Sequence, residues 1–322
     1  MPRQTSEIDV AKHAEMLANR VKKTHQKLAA KMEKKQIGAY RLYDWDIPEV
    51  RVVVDWYEGH LVVAEYAREQ TALLEDYVAS LGAACADILK IPREHVHTKA
   101  RRTRPRSGDR YERTEGPERT NERLIVREGD LRFYCNLDDF LDTGLFADHR
   151  KTRAMVAAGA KSNRVLNLFA YTGSFSVYAA AAGAVRVTTV DASRTYLDWA
   201  EANFALNELG TSRHLFVKDD VREFLHFEYE RRHQFEIIVC DPPSFSVGRD
   251  RESFDVQRDH PELITACVRL LAPDGVLYFS TNHQRFLPRF AEAPATVVEI
   301  TKDTVPEDYR NRTIHRCFRV TR

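Results

Sequence analysis

The sequence predicts an α/β protein, in which a doubly wound, mostly parallel sheet is preceded by a small α+β domain and a basic N-terminal helix. From Arg164 onward, apolar strand-like segments alternate with helical ones, which is typical of a parallel sheet with helices on both faces. Before that point the strand patterns come in pairs, and the N-terminal segment carries one long amphipathic pattern. We therefore place the domains at residues 1–36, 37–140 and 141–322.

The composition is that of a folded globular protein. Of the 322 residues, 43% are hydrophobic and 30% are charged, close to the averages of globular domains. The sequence has neither an apolar run of about 20 residues nor a signal-peptide core, so we expect a cytoplasmic protein with no membrane partner. The five cysteines are scattered and never spaced C-x-x-C, so we expect reduced thiols and no metal site.

Basic charge is concentrated in two segments, although the net charge is only +1. Residues Lys12–Lys35 hold eight basic and two acidic side chains, and Lys99–Arg113 hold seven and two. Such clusters can form a surface that binds a polyanion. A nucleic acid is therefore a candidate partner.

The first element is a helix over Ile8–Gln36, which Gly38 ends. Its apolar stripe consists of Leu17, Val21, Leu28 and Met32. Lys22 and Lys23 point away from this stripe, so they are candidates for phosphate contact. A solvated helix face explains the same lysines equally well.

The small domain combines two hairpins with one helix. A β-branched and aromatic stretch over Val50–Ala67 turns at Glu58, and a second hairpin is predicted over Leu124–Asn136. Between the hairpins we predict a helix over Thr71–Lys90 and a short strand near His95.

A basic run between these elements lacks apolar periodicity and is interrupted by Pro105 and Gly108, so it is predicted to be an exposed loop. Guanidinium groups bind phosphates in a bidentate manner and stack on bases. The candidate nucleic-acid-binding residues here are Lys99, Arg101, Arg102, Arg104 and Arg106. An ordinary solvated loop is the alternative interpretation.

The predicted strands of the C-terminal sheet are Arg164–Phe169, Val185–Asp191, Arg213–Lys218, Phe235–Cys240 and Gly275–Thr281. Ligands of such sheets bind beyond the carboxyl ends of the strands. Polar segments follow these ends. Gly173 opens the first helix, Asp191 ends the second strand, and Asp220 and Asp241 follow the third and fourth strands.

These residues favour a ligand that contains a nucleoside but no pyrophosphate. A dinucleotide site needs G-x-G-x-x-G, whereas a single glycine, Gly173, opens the first helix. Asp191 can accept ribose hydroxyls and Asp220 an adenine amine, and acidic surroundings suit a cationic centre. S-adenosylmethionine combines these parts, although an aspartate that ends a strand is also often only a helix cap.

The motifs resemble those of the class I S-adenosylmethionine-dependent RNA methyltransferases in order and spacing. They are Asn167-Leu-Phe-Ala-Tyr-Thr-Gly173, Val190-Asp-Ala-Ser193, Lys218-Asp-Asp220 and Asp241-Pro-Pro-Ser-Phe245. The resemblance implies a Rossmann-like domain with a seven-stranded sheet. Further segments are similar to the guanine-N7 half of the bifunctional bacterial 23S rRNA guanine methyltransferases, namely Asp142–Arg150, Ser193–Trp199, Phe254–His260 and Arg310–His315. These residues leave no room for the companion guanine-N2 half, so we expect the N7 activity alone.

The resemblance and the chemistry of the side chains assign candidate roles. The cofactor-binding candidates are Asn167, Phe169, Tyr171, Thr172, Gly173, Ser174, Asp191, Ala192, Ser193, Asp220 and Asp241. The catalytic candidates are Asp241, Pro242, Pro243, Phe245 and Asn282. The resemblance places Asp142–Arg150 beside the cofactor, although packing and a salt bridge explain Thr143, Phe146 and Arg150 equally well. His315 is predicted to serve a polar network or an RNA contact.

The predicted reaction transfers the cofactor's methyl group to N7 of a guanine in 23S rRNA or in a large-subunit precursor. N7 carries a free lone pair at neutral pH, so positioning rather than a general base supplies the acceleration. Asp241 is expected to orient the base or the methionine amine, Asn282 to contact the polar edge of the base, and Phe245 to stack on it. The carbonyls of Pro242 and Pro243 suit an exocyclic amine better, so methylation at guanine N2 or adenine N6 stays open.

Two other functions stay open. Methylation at cytosine C5 needs a cysteine nucleophile, but Cys240 is predicted to be a core residue and Phe279–His283 contains no cysteine. The other is a catalytically silent fold that binds RNA or assists ribosome assembly, because a fold does not prove a chemistry. The acidic residues Asp191, Asp220 and Asp241 argue against this second alternative.

Overall fold

The computed structural model describes residues 8–66, 70–71, 74, 76–101, 120–246, 253–290 and 295–322. This part of the chain forms two compact units. The first comprises the described residues up to Asp130 together with Cys135–Thr143, and the second comprises Leu131–Tyr134 and Gly144–Arg322. The predicted RNA-binding residues Arg102, Arg104 and Arg106 lie outside the described residues, and of Arg101 only the backbone is described.

The first unit begins with helix α1 (Val10–Lys34). Asp9 caps this helix, since its carboxylate accepts a hydrogen bond of 2.9 Å from the backbone N–H of Lys12. The predicted apolar stripe is confirmed as buried: Leu17, Val21, Leu28 and Met32. The helix ends before Gly38, because the chain leaves the helical path at Gln36, whose φ is 53°.

A four-stranded sheet completes the first unit. Its strands lie in the spatial order β1 (Ala39–Asp44), β2 (Val52–Tyr57), β3 (His60–Tyr66) and β4 (Val96–Arg101). The first three are antiparallel, whereas β3 and β4 are parallel and are connected through α2 (Tyr77–Leu89). Both helices pack on this sheet and share one core with it. The predicted turn is confirmed, since Glu58 and Gly59 have φ values of 44° and 93°.

The sequence does not predict strand β1, and its burial pattern explains why. Tyr40, Leu42 and Tyr43 are all buried, so the strand lacks the alternation of a half-buried strand. A register shift between Arg41 and Tyr43 in the pairing with β2 breaks the period of two. The predicted second hairpin is confirmed as β5 (Leu124–Glu128) and β6 (Leu131–Cys135).

The second unit contains a seven-stranded sheet, as predicted. The remaining strands among the described residues are β7 (Arg164–Leu168), β8 (Arg186–Asp191), β9 (Leu215–Lys218), β10 (Phe235–Cys240), β11 (Phe245–Ser246), β12 (Phe254–Asp255), β13 (Leu271–Thr281), β14 (Thr296–Glu299) and β15 (Arg316–Thr321). The sheet order is β14-β15-β13-β10-β7-β8-β9. The last five strands of this order run parallel, and β15 and β14 are antiparallel additions at one edge.

Helices cover both faces of this sheet. They are α3 (Arg150–Ala160), α4 (Ser174–Ala181), α5 (Arg194–Leu206), α6 (Val221–Glu230), α7 (Val256–Arg269) and the short α8 (Thr301–Thr304). Val165 of β7 packs in a core with α3 and α4, whereas its neighbour Leu166 packs in a core with α6 and α7. The sheet is therefore doubly wound. Within the described part of the chain, none of the helices has the length and apolar content to span a bilayer.

Candidate functional site

The loop between β7 and α4 is tightly folded at the carboxyl end of the sheet. Phe169, Tyr171 and Gly173 have φ values of 53°, 51° and 73°. A Cβ atom on Gly173 would lie 2.6 Å from the Cβ atom of Ala200 on α5, so both the backbone conformation and the close packing require glycine. Positive φ at large side chains is unusual and is found preferentially at ligand sites.

Asp191 connects this loop to the next helix. The residue ends β8 and is 6% exposed. Its Oδ2 accepts a hydrogen bond of 2.9 Å from the backbone N–H of Tyr171, and Oδ1 accepts one of 2.8 Å from that of Ser193. Burial raises the pKa of Asp191 to about 6, although both hydrogen bonds act in the opposite direction. A carboxylate has about four acceptor sites, so the group can accept further hydrogen bonds from a ligand.

Asp220 and Ser193 both begin helices. The hydroxyl of Ser193 accepts from the backbone N–H of Tyr196 at 3.4 Å, and Oδ1 of Asp220 accepts from that of Arg222 at 2.9 Å. Asp220 is therefore the N-terminal cap of α6. Ala192 is exposed at the end of β8.

Three of the candidate cofactor residues make hydrogen bonds that shape the loop from within. The Asn167 amide donates to the hydroxyl of Ser176 at 2.9 Å, and both residues are buried. The Thr172 hydroxyl donates to the carbonyl of Gly144 at 2.6 Å. The hydroxyl of Ser174 accepts a bond of 3.4 Å from a buried arginine of α3. Contact of these side chains with a cofactor stays a prediction.

Asp241 lies at the same edge of the sheet, directly after β10. Its side chain is 28% exposed. Oδ1 accepts a hydrogen bond of 2.6 Å from the hydroxyl of Ser280 on β13. The two strands pair in parallel with Cys240 opposite Phe279, so the sheet register itself brings the carboxylate and the hydroxyl together.

The other catalytic candidates surround this position. The buried Ser244 donates from its hydroxyl to Oδ1 of the exposed Asn282 at 2.9 Å, which joins the ends of β10 and β13. Phe245 is half-buried in β11 and pairs with Asp255 of β12. Asp255 also caps α7. Pro242 lies buried next to Asp241.

His315 lies in a polar network, one of the two roles predicted for it, but sequence reasoning missed its partners and their place next to Asp241. Asp148, His149 and His315 place one ligand atom each within 4.8 Å of one another. Asp148 and His315 are 167 positions apart in the chain, so no local spacing signals their contact. The nearby salt bridge is confirmed, since Arg150 pairs with Asp308.

The basic candidates of the first unit differ from one another. Lys22 and Lys23 are exposed on α1, as predicted. Lys99 was predicted to lie in an exposed loop and to bind RNA, and this is wrong. It is 2% exposed in β4, and its ammonium group donates to the carbonyls of Phe140 and Leu141 at 2.5 and 3.3 Å. A buried ammonium group that is bound to backbone carbonyls serves folding.

Comparison with known proteins identifies the family. Residues 41–305 match the family described as S-adenosylmethionine-dependent methyltransferase. The chain belongs to this family. The cofactor of this methyltransferase is S-adenosylmethionine, as predicted from the strand ends.

Relatives of the methyltransferase include two named ribosomal RNA enzymes. The chain is 42% identical to "Ribosomal RNA large subunit methyltransferase K" of Neisseria meningitidis serogroup B, over 94% of this chain and 86% of that protein. It is also 42% identical to "Ribosomal RNA large subunit methyltransferase K/L" of Methylococcus capsulatus, over 96% of this chain but only 43% of that protein. The chain therefore spans less than half the length of this K/L relative.

Solved structures share the fold. The structure titled "SMU.776, a putative methyltransferase complexed with SAH" has a TM-score of 0.77 and 23% identity, over 99% of this chain and 83% of that chain. A putative SAM-dependent methyltransferase from Streptococcus mutans has a TM-score of 0.75 with the same identity, over 100% of this chain and 83% of that chain. The predicted Rossmann-like class I architecture is thereby confirmed.

The residues present fit the cofactor. A nucleoside sugar requires acceptors for its hydroxyls, and the Asp191 carboxylate lies at the carboxyl edge with two acceptor sites used by backbone N–H groups. A sulfonium centre favours acidic surroundings, which Asp191, Asp220 and Asp241 supply at the ends of three strands. Gly173 lets the loop after β7 turn tightly and pack against Ala200 of α5 at this edge of the sheet.

Proposed function

We propose that this methyltransferase transfers the methyl group of S-adenosylmethionine to N7 of a guanine in 23S rRNA or in a precursor of the large subunit. The relatives from Neisseria meningitidis and Methylococcus capsulatus are named ribosomal RNA large subunit methyltransferases. The observation that carries the proposal is the position of Asp241 at the carboxyl end of β10, where Ser280 holds its carboxylate. N7 as the target atom comes from the resemblance of the motifs to guanine-N7 enzymes.

The cofactor is held by the loop after β7 and by the acidic strand ends. When bound, it supplies a methyl carbon on a positively charged sulfur, which is activated for in-line displacement. Asp191 accepts the ribose hydroxyls, and Asp220 accepts the adenine amine. Phe169, Tyr171 and Gly173 enclose the cofactor through the tightly turned backbone.

The guanine is oriented by the residues around Asp241. Asp241 binds a donor of the base or the methionine amine, Asn282 contacts the polar edge of the base, and Phe245 stacks on its face. The N7 lone pair needs no deprotonation, so this chain's residues act by alignment of the base rather than by accepting a proton.

Guanine N2 is the second candidate target, and the Pro242-Pro243 pair favours it. Proline offers a carbonyl acceptor without an N–H donor, which suits an exocyclic amine. Cytosine C5 is disfavoured, because all five cysteines are buried. Burial raises the pKa of the Cys240 thiol well above its usual range, which opposes thiolate chemistry.

RNA contact is proposed for the exposed lysines of α1, Lys22 and Lys23, and for Arg101, Arg102, Arg104 and Arg106. Lysine and arginine side chains on one surface neutralise phosphates and release counterions, which makes the affinity dependent on salt. The exposure of both lysines supports their part of this proposal.

Nucleoside mass spectrometry tests the proposal directly. Purified full-length protein is incubated with methyl-deuterated S-adenosylmethionine and with 23S rRNA from cells that lack the gene. We expect deuterated 7-methylguanosine, and none with the Asp241→Asn variant. N2-methylguanosine would replace the N7 assignment with the second candidate. Deuterated 5-methylcytidine, or no incorporation with either naked rRNA or ribosomal particles, would overturn both assignments.

A further inference from the structure

A pair of buried histidines lies next to Asp241 in the second unit. His149 closes the short 3-10 turn Ala147–His149, and His315 precedes β15. His149 is 5% exposed and His315 is fully buried. Their rings stack with centroids 4.1 Å apart and an angle of 14° between the planes. An unpaired charge in such a place is unfavourable, so the hydrogen bonds around the rings decide where the protons lie.

The hydrogen bonds place two protons on His315. The hydroxyl of Thr304 donates its single hydrogen to the carbonyl of Thr301 at 3.0 Å. It therefore accepts from Nε2 of His315, which lies 3.1 Å away. Nδ1 of His315 lies 2.9 Å from Oδ2 of Asp148, which only accepts when ionised. Both ring nitrogens act as donors, so the ring forms a buried ion pair with Asp148.

His149 is neutral in the same cluster. Its Nε2 lies 3.7 Å from Oδ2 of Asp148 and 3.6 Å from Oδ2 of Asp241, so the single proton belongs on Nε2. Among the described residues its buried Nδ1 has no hydrogen-bond partner. Burial and the neighbouring His315 lower the pKa of His149, and these effects together with Arg153 outweigh the opposite effect of Asp241 and Asp148.

The cluster of Asp148, His149 and His315 suits an ion pair better than a metal ion. The three ligand atoms of Asp148, His149 and His315 are close enough to surround a cation. Both nitrogens of His315 are however engaged as donors, so this ring has no lone pair to offer. The two rings are also stacked nearly parallel, so their in-plane nitrogens do not converge on one point.

We propose that His149 is a positioning residue for Asp241, with its Nε2–H turned toward Oδ2 and held in that orientation by the Asp148–His315 ion pair beneath the ring. This inference rests on the proposed place of Asp241 in the methyl-transfer site. Ser280 already fixes Oδ1 of Asp241 at 2.6 Å. A donor on Oδ2 would fix the rotation of the carboxylate as well. The two atoms are 3.6 Å apart, and we expect this distance to shorten to a hydrogen bond in the substrate complex.

Two amide variants of the full chain distinguish the effect of where the N–H donor lies from the effect of replacing the imidazole ring. In His149→Gln the amide N–H lies near the place of Nε2, whereas in His149→Asn it lies near the place of Nδ1. We expect kcat to stay within about threefold of wild type in H149Q and to fall about tenfold or more in H149N, with the KM for S-adenosylmethionine unchanged in both. Equal losses in the two variants, or no loss in H149N, would overturn the proposal.

NMR of nitrogen-15 histidine reports the protons themselves and needs no activity. From the hydrogen bonds we expect two protonated nitrogens on His315 and one protonated Nε2 on His149, with the signals assigned from the His149→Gln variant. Asp148→Asn should convert the His315 ring to its neutral form. A neutral His315 in the wild-type protein would contradict the ion pair.

The proposed function and this inference fail in different ways. If Asp241→Asn keeps full kcat, the assignment of the site is wrong. If D241N is inactive while H149N has the kcat of wild type, the site stands and only the positioning role of His149 is wrong.

Discussion

The acidic strand ends of the second unit and the lysines of the first unit are held in different ways. Asp191 ends a strand, and backbone N–H groups bind both of its oxygens. Asp241 follows strand β10 of the same sheet, and its Oδ1 accepts a hydrogen bond from the Ser280 hydroxyl. Lys22 and Lys23 by contrast lie exposed on α1, and Lys99 of the same basic class is 2% exposed in β4.

This difference shows which sequence patterns predict where a side chain lies in the structure. A residue at the carboxyl end of a parallel strand is aimed by the sheet, so its place in the sequence is also a place in the site. A lysine has a long flexible stem whose ammonium group reaches solvent or a carbonyl with equal ease. Local charge density therefore did not distinguish Lys99 from Lys22 or Lys23.

Removing the charge of Asp241 is the most severe test of the proposed role of the acidic strand ends. We expect Asp241→Asn to lower kcat about 100-fold or more, because a preoriented carboxylate at the reacting base is lost. The melting temperature should stay that of wild type. Asp274→Asn, at an exposed position of β13 in the same sheet, is the isosteric control and should keep full activity. Similar kcat values in the two variants would remove Asp241 from the reaction.

Replacing Lys99 tests whether the buried lysine serves folding. In Lys99→Met the carbonyls of Phe140 and Leu141 lose their donor, so the free energy of unfolding should fall by about 1–3 kcal/mol. Urea denaturation measures this change, and Lys22→Met at an exposed position should show none. If K99M unfolds like wild type and instead binds RNA more weakly, our correction for Lys99 is mistaken.

Replacing the exposed lysines sharpens the other half of the comparison. The double variant Lys22→Gln, Lys23→Gln should bind 23S rRNA about tenfold more weakly at low salt, and the slope of log affinity against log salt should fall by about 1–2. Filter binding across a salt series measures both quantities. Lys161→Gln, Lys302→Gln removes the same charge from exposed positions of the second unit and serves as the control. Identical slopes in the two double variants would mean that the α1 lysines do not contact phosphate.

The raised pKa of Asp191 predicts a smaller effect, on cofactor binding. In the proposed site the ionised carboxylate is the acceptor for the ribose hydroxyls, and the ionised population falls as the pH falls through about 6. Affinity for S-adenosylmethionine should therefore weaken about fourfold between pH 7.5 and 5.5. Asp191→Asn should bind weakly with no such dependence. A wild-type affinity that is constant over this range would contradict ribose binding by the ionised group.

The same pKa fixes the sign of the stability change. The pKa of Asp191 is above its ordinary value of 3.8 in the folded chain, so the native state holds the proton more tightly than the unfolded state. The contribution of Asp191 to stability is therefore complete below pH 3.8 and is lost as the pH rises through about 6. Denaturation of wild type and D191N at both ends of this window measures the difference.

Most strands of the parallel sheet in the second unit can be predicted from sequence, because each buried parallel strand is a short continuous run of apolar residues. The strands β7, β8, β9 and β10 were predicted to within two residues of their observed bounds, whereas β13 begins four residues before the predicted Gly275. Strand β1 was missed because a register shift between Arg41 and Tyr43 removes its alternation. The helix α1 was predicted because its buried face repeats with helical spacing over 25 residues.

Within the candidate site, sequence predicted positions best for residues that end a strand or directly follow one. Asp191, Asp220 and Asp241 lie at the carboxyl edge of the sheet as expected, and their contact with a cofactor or a base stays a prediction. The cluster that Asp148 and His149 form was not predicted, because it depends on His315, 167 positions beyond Asp148. Sequence also gave no sign that the Asn167 amide binds Ser176 inside the unit rather than facing the edge, since a polar residue within a strand has two faces to choose from.

Calorimetric titration of the full chain with S-adenosylmethionine at pH 7.5 tests most directly whether the acidic strand ends form the cofactor site. We predict one saturable site in wild type, and an affinity about 10- to 100-fold weaker in Asp191→Asn, because hydrogen bonds to a charged group are lost. Absence of binding by the wild-type chain, or an affinity in D191N equal to that of wild type, would contradict the account.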